Sequence, residues 1–289
     1  MKAIIFGANG QDGHYLVRLF LERGIEPIGV SRSGDFVRGD VADFALVEKL
    51  VREHSPAYVL QMAAASTTSH DALFENHAAI ATGAINVLEA VKRHAPAARV
   101  FIPGSGVQFV NIGKPIKETD PFEASSPYSI ARIQSVYAAR YYRSLGIRTF
   151  VGYLFHHESP LRKPHHVSMK VVQAARRIAG GSKEILELGD ISVRKEWAFA
   201  GDIVEGMLAL MEQDQASEAM IGSGIVHSIE DWLEAVFGLL GLEWREHVRT
   251  QAGFQPEYKA LVSDTSVMHG LGWRVKLGLK ELARLMLEA

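Results

Sequence analysis

The stretch KAIIFGANGQDGHYL, from Lys2 to Leu16, decides the fold. Ala3-Ile4-Ile5-Phe6 is apolar and short, as a buried strand is, and Tyr15, Leu16, Leu19 and Phe20 follow at helical spacing. Between them Gly7, Gly10 and Gly13 stand in the order G-x-x-G-x-x-G. A loop of this kind turns sharply, brings backbone N–H groups close to a pyrophosphate, and lets a helix pack on its strand. The phosphate charge then lies at a helix N-terminus. A glycine triplet alone is a weak motif; the strand before it and the helix after it supply the context it requires.

Working outward, the first helix should stop at Gly24, and Glu26 to Val30 reads as a second strand ending in Ser31-Arg32-Ser33. An adenine-bearing ribose would be read there. A dinucleotide without a 2′-phosphate usually meets an acidic side chain at this point, whereas Ser31 and Arg32 offer a hydroxyl and a guanidinium fork suited to phosphate. NADP is the expected cofactor, with NAD as the alternative and a solvated turn arginine as the plain reading of Arg32. Gly39-Asp40-Val41 precedes a helix from Phe44 to Arg52. A strand from Ala57 to Met62 then runs into small residues, Ala63-Ala64-Ala65-Ser66, that let a ligand approach. A helix is expected from Ala79 to Arg93, a strand from Arg99 to Ile102, and then Pro103-Gly104-Ser105-Gly106. Strands this apolar, alternating with helices, argue an α/β fold: a Rossmann-type doubly wound parallel sheet covered on both faces. Its ligands belong beyond the carboxyl ends of the strands.

In Ser125-Ser126-Pro127-Tyr128-Ser129-Ile130-Ala131-Arg132, Pro127 suits a helix start, and Ile130, Ile133, Val136, Tyr137 and Tyr141 continue the period. Tyr128 and Arg132 are then neighbours on one face, where a guanidinium would favour the ionised phenol and make it a usable proton donor or acceptor. A helical tyrosine is otherwise a core or interface residue. Ser228 and Asp231 have capping-box spacing and read as structural.

Composition narrows the function classes. The 289 residues are 47% hydrophobic, enough for a full core. A net charge of -2, with 31 lysines and arginines scattered rather than clustered, argues against nucleic acid or an anionic membrane as the main partner. Cysteine is absent, which excludes thiol catalysis and thiolate metal sites and suits a reducing compartment. With the glycine motif at the N-terminus and no apolar run near ~18 residues, a cytoplasmic protein without a cleaved signal is expected. Of the 12 histidines, His156-His157 and His165-His166 are adjacent pairs that would point to opposite faces of a strand. They read as solvated or sugar-facing, and no metal is expected.

From Met1 to the last helix the chain resembles the extended short-chain dehydrogenase/reductases, within them the GDP-mannose 4,6-dehydratase and GDP-4-keto-6-deoxymannose reductase group. GANGQDGHYL resembles that group's glycine loop. Phe155-His156-His157-Glu158-Ser159-Pro160 resembles its N-H-E-S-P signature, with His156 in place of Asn. Gln61 to Ser66, Lys117 to Phe122, Leu188 to Trp197 and Asp202-Ile203-Val204 are similar to further family segments, and Leu271-Gly272-Trp273 and a helix from Leu279 to Leu287 close the chain as in the family. The resemblance implies Tyr128 as acid/base, Ser105 as the hydroxyl that bonds the reacting sugar oxygen, and Arg132 where a lysine normally holds the nicotinamide ribose. It also implies a cofactor set of Gly7, Asn9, Gly10, Gln11, Asp12, Gly13, Ser31, Arg32, Asp40, Val41, Met62, Ala63, Ala64, Tyr128, Arg132, Leu154, His157 and Arg162. For the sugar nucleotide it implies Ser66, Ser105, His156, Glu158, Val167, Lys170, Arg194, Lys195, Gln255 and Glu257, with Arg162, Lys170, Arg194 and Lys195 as cations for the diphosphate.

Three departures bear on chemistry. Arginine at 132 keeps the charge but is longer and planar. Phe254-Gln255-Pro256 stands where the family has F-R-P, so Gln255 offers no guanidinium. Where dehydratases carry carboxylates after the hydroxyl residue, Ser105 is followed by Gly106, Val107 and Gln108. Without an acid/base pair the elimination loses its catalyst, while hydride transfer needs only the cofactor and Tyr128. The expected function is therefore an NADP-dependent reductase of a nucleotide-linked, GDP by preference, 4-keto-6-deoxy sugar. The alternatives are a GDP-mannose 4,6-dehydratase or a sugar-nucleotide epimerase, and beyond those a non-catalytic dinucleotide- or sugar-nucleotide-binding protein. Residues 1–155, with segments returning near 190–225, are expected to form the dinucleotide domain and 156–289 mainly the substrate lobe. A homodimer is expected through the Ile133, Val136, Tyr137 face and the Ala79 to Arg93 helix.

Overall fold

Strands with no polar face need cover on both sides, and this chain supplies it by alternating them with amphipathic helices. The computed structural model describes residues 1–289. Its first part runs β1 (Lys2–Phe6), α1 (Gln11–Glu22), β2 (Glu26–Ser31), β3 (Val37–Arg38), α2 (Phe44–His54) and β4 (Tyr58–Gln61). Next come α3 (Leu73–Asn76), a π-helical stretch His77–Thr82, α4 (Gly83–His94), β5 (Arg99–Ser105), α5 (Pro127–Ser144) and β6 (Thr149–Leu154). Then follow β7 (His157–Glu158), α6 (Val167–Ala179), β8 (Leu186–Leu188), β9 (Arg194–Glu196), β10 (Ala198–Phe199), α7 (Ala200–Met211) and β11 (Glu218–Ile221). The chain ends with β12 (Val226–Ser228), α8 (Ile229–Leu239), β13 (Val248–Thr250), β14 (Ala260–Leu261), α9 (Ser266–Gly270) and α10 (Leu279–Glu288).

Seven parallel strands form the main sheet in the order β11-β6-β5-β4-β1-β2-β3. The chain reverses direction between β1 and β4, and this switch point opens a crevice at their carboxyl ends. Alternate strand residues feed two cores. Ile4, Phe6, Val59, Val100 and Val151 pack with Val47, Val87 and Val136 on one face. Ala3, Ile5, Leu60 and Phe101 pack with Leu16, Phe20, Ile203 and Met207 on the other. Met268 and Trp273, from late in the chain, join this second sheet core. A third core lies outside the sheet, where Val172, Trp232, Phe237, Leu282 and Met286 unite α6, α8 and α10. Trp197 stacks on Trp232 there at 4.8 Å between ring centres.

Two expectations are corrected. The helix read from Ala79 to Arg93 begins earlier and is not regular: the Gln61 side chain takes the Ala79 carbonyl at 2.5 Å, and the run widens into the π-helical stretch His77–Thr82 before α4. The apolar face assigned to Ile133, Val136 and Tyr137 is divided, since Val136 is buried in the sheet core and the outward side of α5 carries Ile130, Tyr137 and Tyr141. No helix is long and apolar enough to cross a membrane.

The tightest constraint is at the first loop. Gly7 has φ +86, and a Cβ there would lie 2.7 Å from the Ala63 nitrogen; one on Gly13 would overlap the Gly7 carbonyl oxygen and the Ala8 backbone. Gly13→Ala should therefore destabilise the protein by about 1–3 kcal/mol, because backbone rather than a flexible side chain must move. Gly238→Ala, on α8 with nothing within 4 Å of its Cβ, is the matched control and should be neutral or stabilising. Denaturant midpoints for the two variants check this, and equal midpoints would contradict the close approach.

Candidate active site

Two cavities meet beyond the strand ends. The larger, about 630 Å³, is lined by Gly7, Asn9, Gly10, Gln11, Asp12, Gly13, Ser31, Arg32, Asp40, Val41, Met62, Ala63, Ala64, Ser66 and Arg162. The smaller, about 420 Å³, is lined by Ser66, Ser105, Tyr128, Arg132, Leu154, His156, His157, Val167, Lys195 and Glu257. Asp12, Met62, Ala64, Ser66 and Arg162 belong to both, so the two form one continuous site. Of the residues expected at the cofactor, Tyr128, Arg132, Leu154 and His157 line the smaller cavity and the others line the larger.

The larger cavity fits a dinucleotide on several counts. Gly10 caps α1 without a side-chain bond, leaving its first N–H groups for an anion. The glycine loop is held down by Gly7 N–H donating to the Val30 carbonyl at 2.8 Å. Asn86 donates to the Val41 carbonyl at 2.9 Å, which fixes the loop carrying Asp40 and Val41. At the far corner Arg32 is not free: its Nη2 donates to Glu75 Oε1 at 2.8 Å.

In the smaller cavity the end of β5 and the start of α5 set the reacting groups. Ser126 caps α5 by accepting from Ser129 N–H, and Pro127 opens the helix, which places Tyr128 in its first turn. Arg132 is buried, its guanidinium stands 5.0 Å from the Tyr128 ring centre, and Nη1 donates to the Pro103 carbonyl at 2.8 Å. The pair expected from helical spacing is therefore present, with the cation over the ring face. The Nε of Arg132 has no partner within the chain, so an acceptor on a bound ligand can meet it. After Ser105 the chain turns through Gly106–Gln108, and Gln108 folds back so that its Oε1 accepts from Ser105 N–H at 2.8 Å.

The wall between the cavities is charged. His157 Nδ1 lies 2.7 Å from the Phe155 carbonyl and Nε2 2.9 Å from Asp12 Oδ1. Acceptors at both nitrogens suit the charged ring, and although burial opposes the charge, Asp12 outweighs it and the pKa rises. The Asp12 carboxylate is correspondingly held low, His157 overcoming burial. Nearby, Glu158 is fully buried and paired with Arg162 at 3.1 Å and Lys195 at 3.8 Å, while Ser168 donates to it at 2.6 Å. Arg162 and Lys195 against Glu158, with the His157 ring turned to Asp12, set positive charge beside the glycine loop. His156 accepts or donates at 3.0 Å to the Tyr258 hydroxyl, and burial, with Lys195 and Arg162 close by, keeps its imidazole neutral.

Several expected roles are corrected by placement. His156 and His157 face different partners, Tyr258 and Asp12, and both line the smaller cavity, while His165 of the other pair is exposed. Glu158 is not on a cavity wall; it sits behind Arg162 and Lys195 as their counter-ion. Lys170 is on the exposed side of α6, whose Ser168, Met169, Val171 and Val172 turn inward. Arg194 neighbours Lys195 on β9 and is exposed where Lys195 is buried, as strand alternation requires. Gln255 is also exposed and lines neither cavity. Glu75 and Tyr258 carry no spacing signal in the sequence and reach the site through α3 and the loop before β14.

The Asp12–His157 pair gives a pH signature. His157, with its raised pKa, contributes stability that is full below the ordinary imidazole value of about 6.5 and is lost as pH rises through the folded value. Asp12, held low, contributes above the ordinary carboxylate value of about 3.9 and loses it as pH falls through its folded value. The unfolding free-energy difference between wild type and His157→Asn should therefore be largest in mildly acidic buffer and shrink toward alkaline pH. A difference constant across that window, measured by denaturant titration, would show that the ring is neutral.

With this geometry in place, comparison with known proteins gives the family. A family model described as GDP-mannose 4,6 dehydratase matches residues 30–286. GDP-mannose 4,6 dehydratase 1 of Arabidopsis thaliana is 31% identical, covering 99% of this chain and 88% of its own length. A GDP-mannose 4,6-dehydratase of Sinorhizobium fredii is 27% identical over 97% of this chain and 94% of its own. Among solved structures, dTDP-glucose 4,6-dehydratase of Bacillus anthracis, in complex with NAD, has a TM-score of 0.87 at 17% identity, over 100% of this chain and 96% of that one. RMD from Pseudomonas aeruginosa, complexed with NADPH, has a TM-score of 0.85 at 18% identity, over 99% of this chain and 96% of that one. The structural likenesses carry the Rossmann-type fold, while the sequence match carries the kinship: the chain belongs to the GDP-mannose 4,6-dehydratase family.

Proposed function

We propose that this protein is a nicotinamide-dependent oxidoreductase that transfers hydride at C4 of a GDP-linked hexose. The observation that carries the reading is the Tyr128–Arg132 pair, facing Ser105 across a cavity that opens directly into the glycine-loop cleft. A nicotinamide, when bound in that cleft, supplies or accepts the hydride. The rest falls to the chain: Tyr128 moves the proton at the C4 oxygen, Ser105 bonds that oxygen, and Arg132 holds ribose hydroxyls while keeping positive charge at the ring. Arg162, Lys195 and His157 offer charge to a diphosphate.

Kinship to named GDP-mannose 4,6-dehydratases supports 4,6-dehydration as the overall reaction, in which C4 is oxidised, water leaves across C5 and C6, and the hydride returns. One observation favours the second reading, a reductase of the 4-keto-6-deoxy sugar: the turn Gly106–Gln108 holds no carboxylate, and Gln108 is tied to the Ser105 backbone. Exposed Ile85 of α4 and Ile130, Tyr137 and Tyr141 of α5 support a homodimer through these helices. Tyr137→Glu, tested by sedimentation, should then yield monomer, and an unchanged wild-type monomer would end that reading.

The reaction is tested with GDP-mannose plus NAD or NADP, and separately with GDP-4-keto-6-deoxymannose plus the reduced cofactors, following sugars by NMR. Ketone formed from GDP-mannose selects the dehydratase; cofactor oxidation by the ketone selects the reductase. Tyr128→Phe should lower turnover by roughly 100- to 10,000-fold in whichever reaction appears while leaving dinucleotide affinity nearly unchanged. No turnover in either, or turnover indifferent to Tyr128→Phe, refutes hydride transfer at this site.

A further inference from the structure

The glycine-loop cleft ends, on its β2 side, in three charged side chains: Arg32 just past β2, Asp40 past β3, and Glu75 on α3. Both members of the 2.8 Å Arg32–Glu75 pair are about half exposed, so a ligand entering the cleft meets them directly. Glu75's hydrogen bond, helped by the charges of Glu75 and Asp40 and opposed by partial burial, holds the guanidinium more firmly in its charged form. Asp40 is itself fixed, its Oδ1 accepting from Ala42 N–H at 2.9 Å. Opposite, Asn9 donates to Ser33 at 3.1 Å. Among the side chains lining this end of the cleft, one guanidinium thus stands with two carboxylates, while Arg38, level with Ser31 on β3, lies outside the lining.

We propose that Glu75 is the cofactor-selecting residue: by engaging Arg32 from α3 it makes the corner a receptor for a ribose hydroxyl and disfavours the 2′-phosphate that distinguishes NADP from NAD. The proposal rests on the reading of the cleft as a dinucleotide site. A 2′-phosphate carries close to two negative charges, so at Arg32 it must share the guanidinium with the Glu75 carboxylate that already holds Nη2, and it is repelled by that carboxylate. A hydroxyl is not repelled. It donates to a carboxylate and accepts from the guanidinium, leaving the pair intact. The acidic group that usually reads the ribose stands at the strand end; here it arrives from a helix more than forty positions later. That is why Ser31-Arg32-Ser33 alone suggests the opposite cofactor.

The test is calorimetric titration of the full chain with NADH and NADPH. Wild type should bind NADH at least as tightly as NADPH. Glu75→Gln should shift the affinity ratio toward NADPH by about tenfold, because it removes a charge while keeping a hydrogen-bonding group. Adding Arg32→Ala should abolish that gain, since the freed guanidinium is what the phosphate uses. Both positions are solvent-facing, and unchanged thermal midpoints would verify folding. A wild-type preference for NADPH, or a ratio that stays put or moves toward NADH in Glu75→Gln, overturns the proposal. A wild type that binds neither dinucleotide refutes the reading of the cleft itself, and the proposal with it.

Discussion

Everything at this site depends on two missing Cβ atoms. The Gly7 backbone passes within contact of the Ala63 backbone, and Gly13 lies against Gly7 and Ala8, so β1, β4 and α1 converge at one point. Only there do the N-terminal N–H groups of α1 sit over the switch point where the chain reverses across the sheet. The convergence fixes more than the glycine loop. It places Asp12, in the first turn of α1, against the chain just past β6, and so creates the position that His157 fills.

An acid in the first turn of a phosphate-facing helix would oppose its ligand if it stood alone. His157 counters it, with an acceptor facing each of its ring nitrogens. Glu158 does the converse one residue later, binding Arg162 and Lys195 from behind so that two cations can be buried near the cavity without facing each other uncompensated. A buried charge with no partner costs several kcal/mol, so the pairing is a condition for having this wall at all. The Gln11 side chain completes the join, accepting from Ser159 at 2.9 Å and donating to the His157 carbonyl at 3.3 Å. Glycine loop and sugar cavity are thereby held as one body.

The parts of this arrangement that follow local rules are legible in the sequence. Glycine spacing, strand apolarity and the Pro127 helix start locate the dinucleotide loop, the parallel sheet and the Tyr128–Arg132 pair, because each depends on residues close together in the chain. What is not legible depends on long-range meetings. Nothing in Ser31-Arg32-Ser33 indicates that Glu75 will arrive from α3, nor in Phe254-Gln255-Pro256 that Tyr258 will reach His156 at 3.0 Å. Arg194 and Lys170 show a second limit. Resemblance proposes cations by position, but strand alternation and the inward face of α6 decide which of them see the cavity, and these two see solvent. The π-helical stretch is a third case, since a side chain from β4 alters the hydrogen bonding of a distant helix.

Kinship and geometry do not carry the same amount of the chemistry. In the function proposed above, hydride transfer asks for a dinucleotide cleft, a proton-moving hydroxyl and a cation, and the glycine-loop cleft, Tyr128 and Arg132 are what the two joined cavities offer. Elimination asks in addition for a group to take the proton beside the ketone and another to protonate the departing hydroxyl. Beside Ser105 the nearest candidate in sequence, Gln108, is an amide that cannot titrate, and its oxygen is already committed to the Ser105 backbone. Asp12 and Glu158 are carboxylates, but each is neutralised by a cation and held in its ionised form. His156 is neutral and bonded to Tyr258, yet the burial that keeps it neutral, with the charges of Lys195 and Arg162, also makes it a weak base. The groups the proposed oxidation and reduction at C4 would use are thus side chains already gathered at the cavity, whereas the further titratable groups on its lining, Glu257, His165 and His166, stand apart from the turn after Ser105 in sequence.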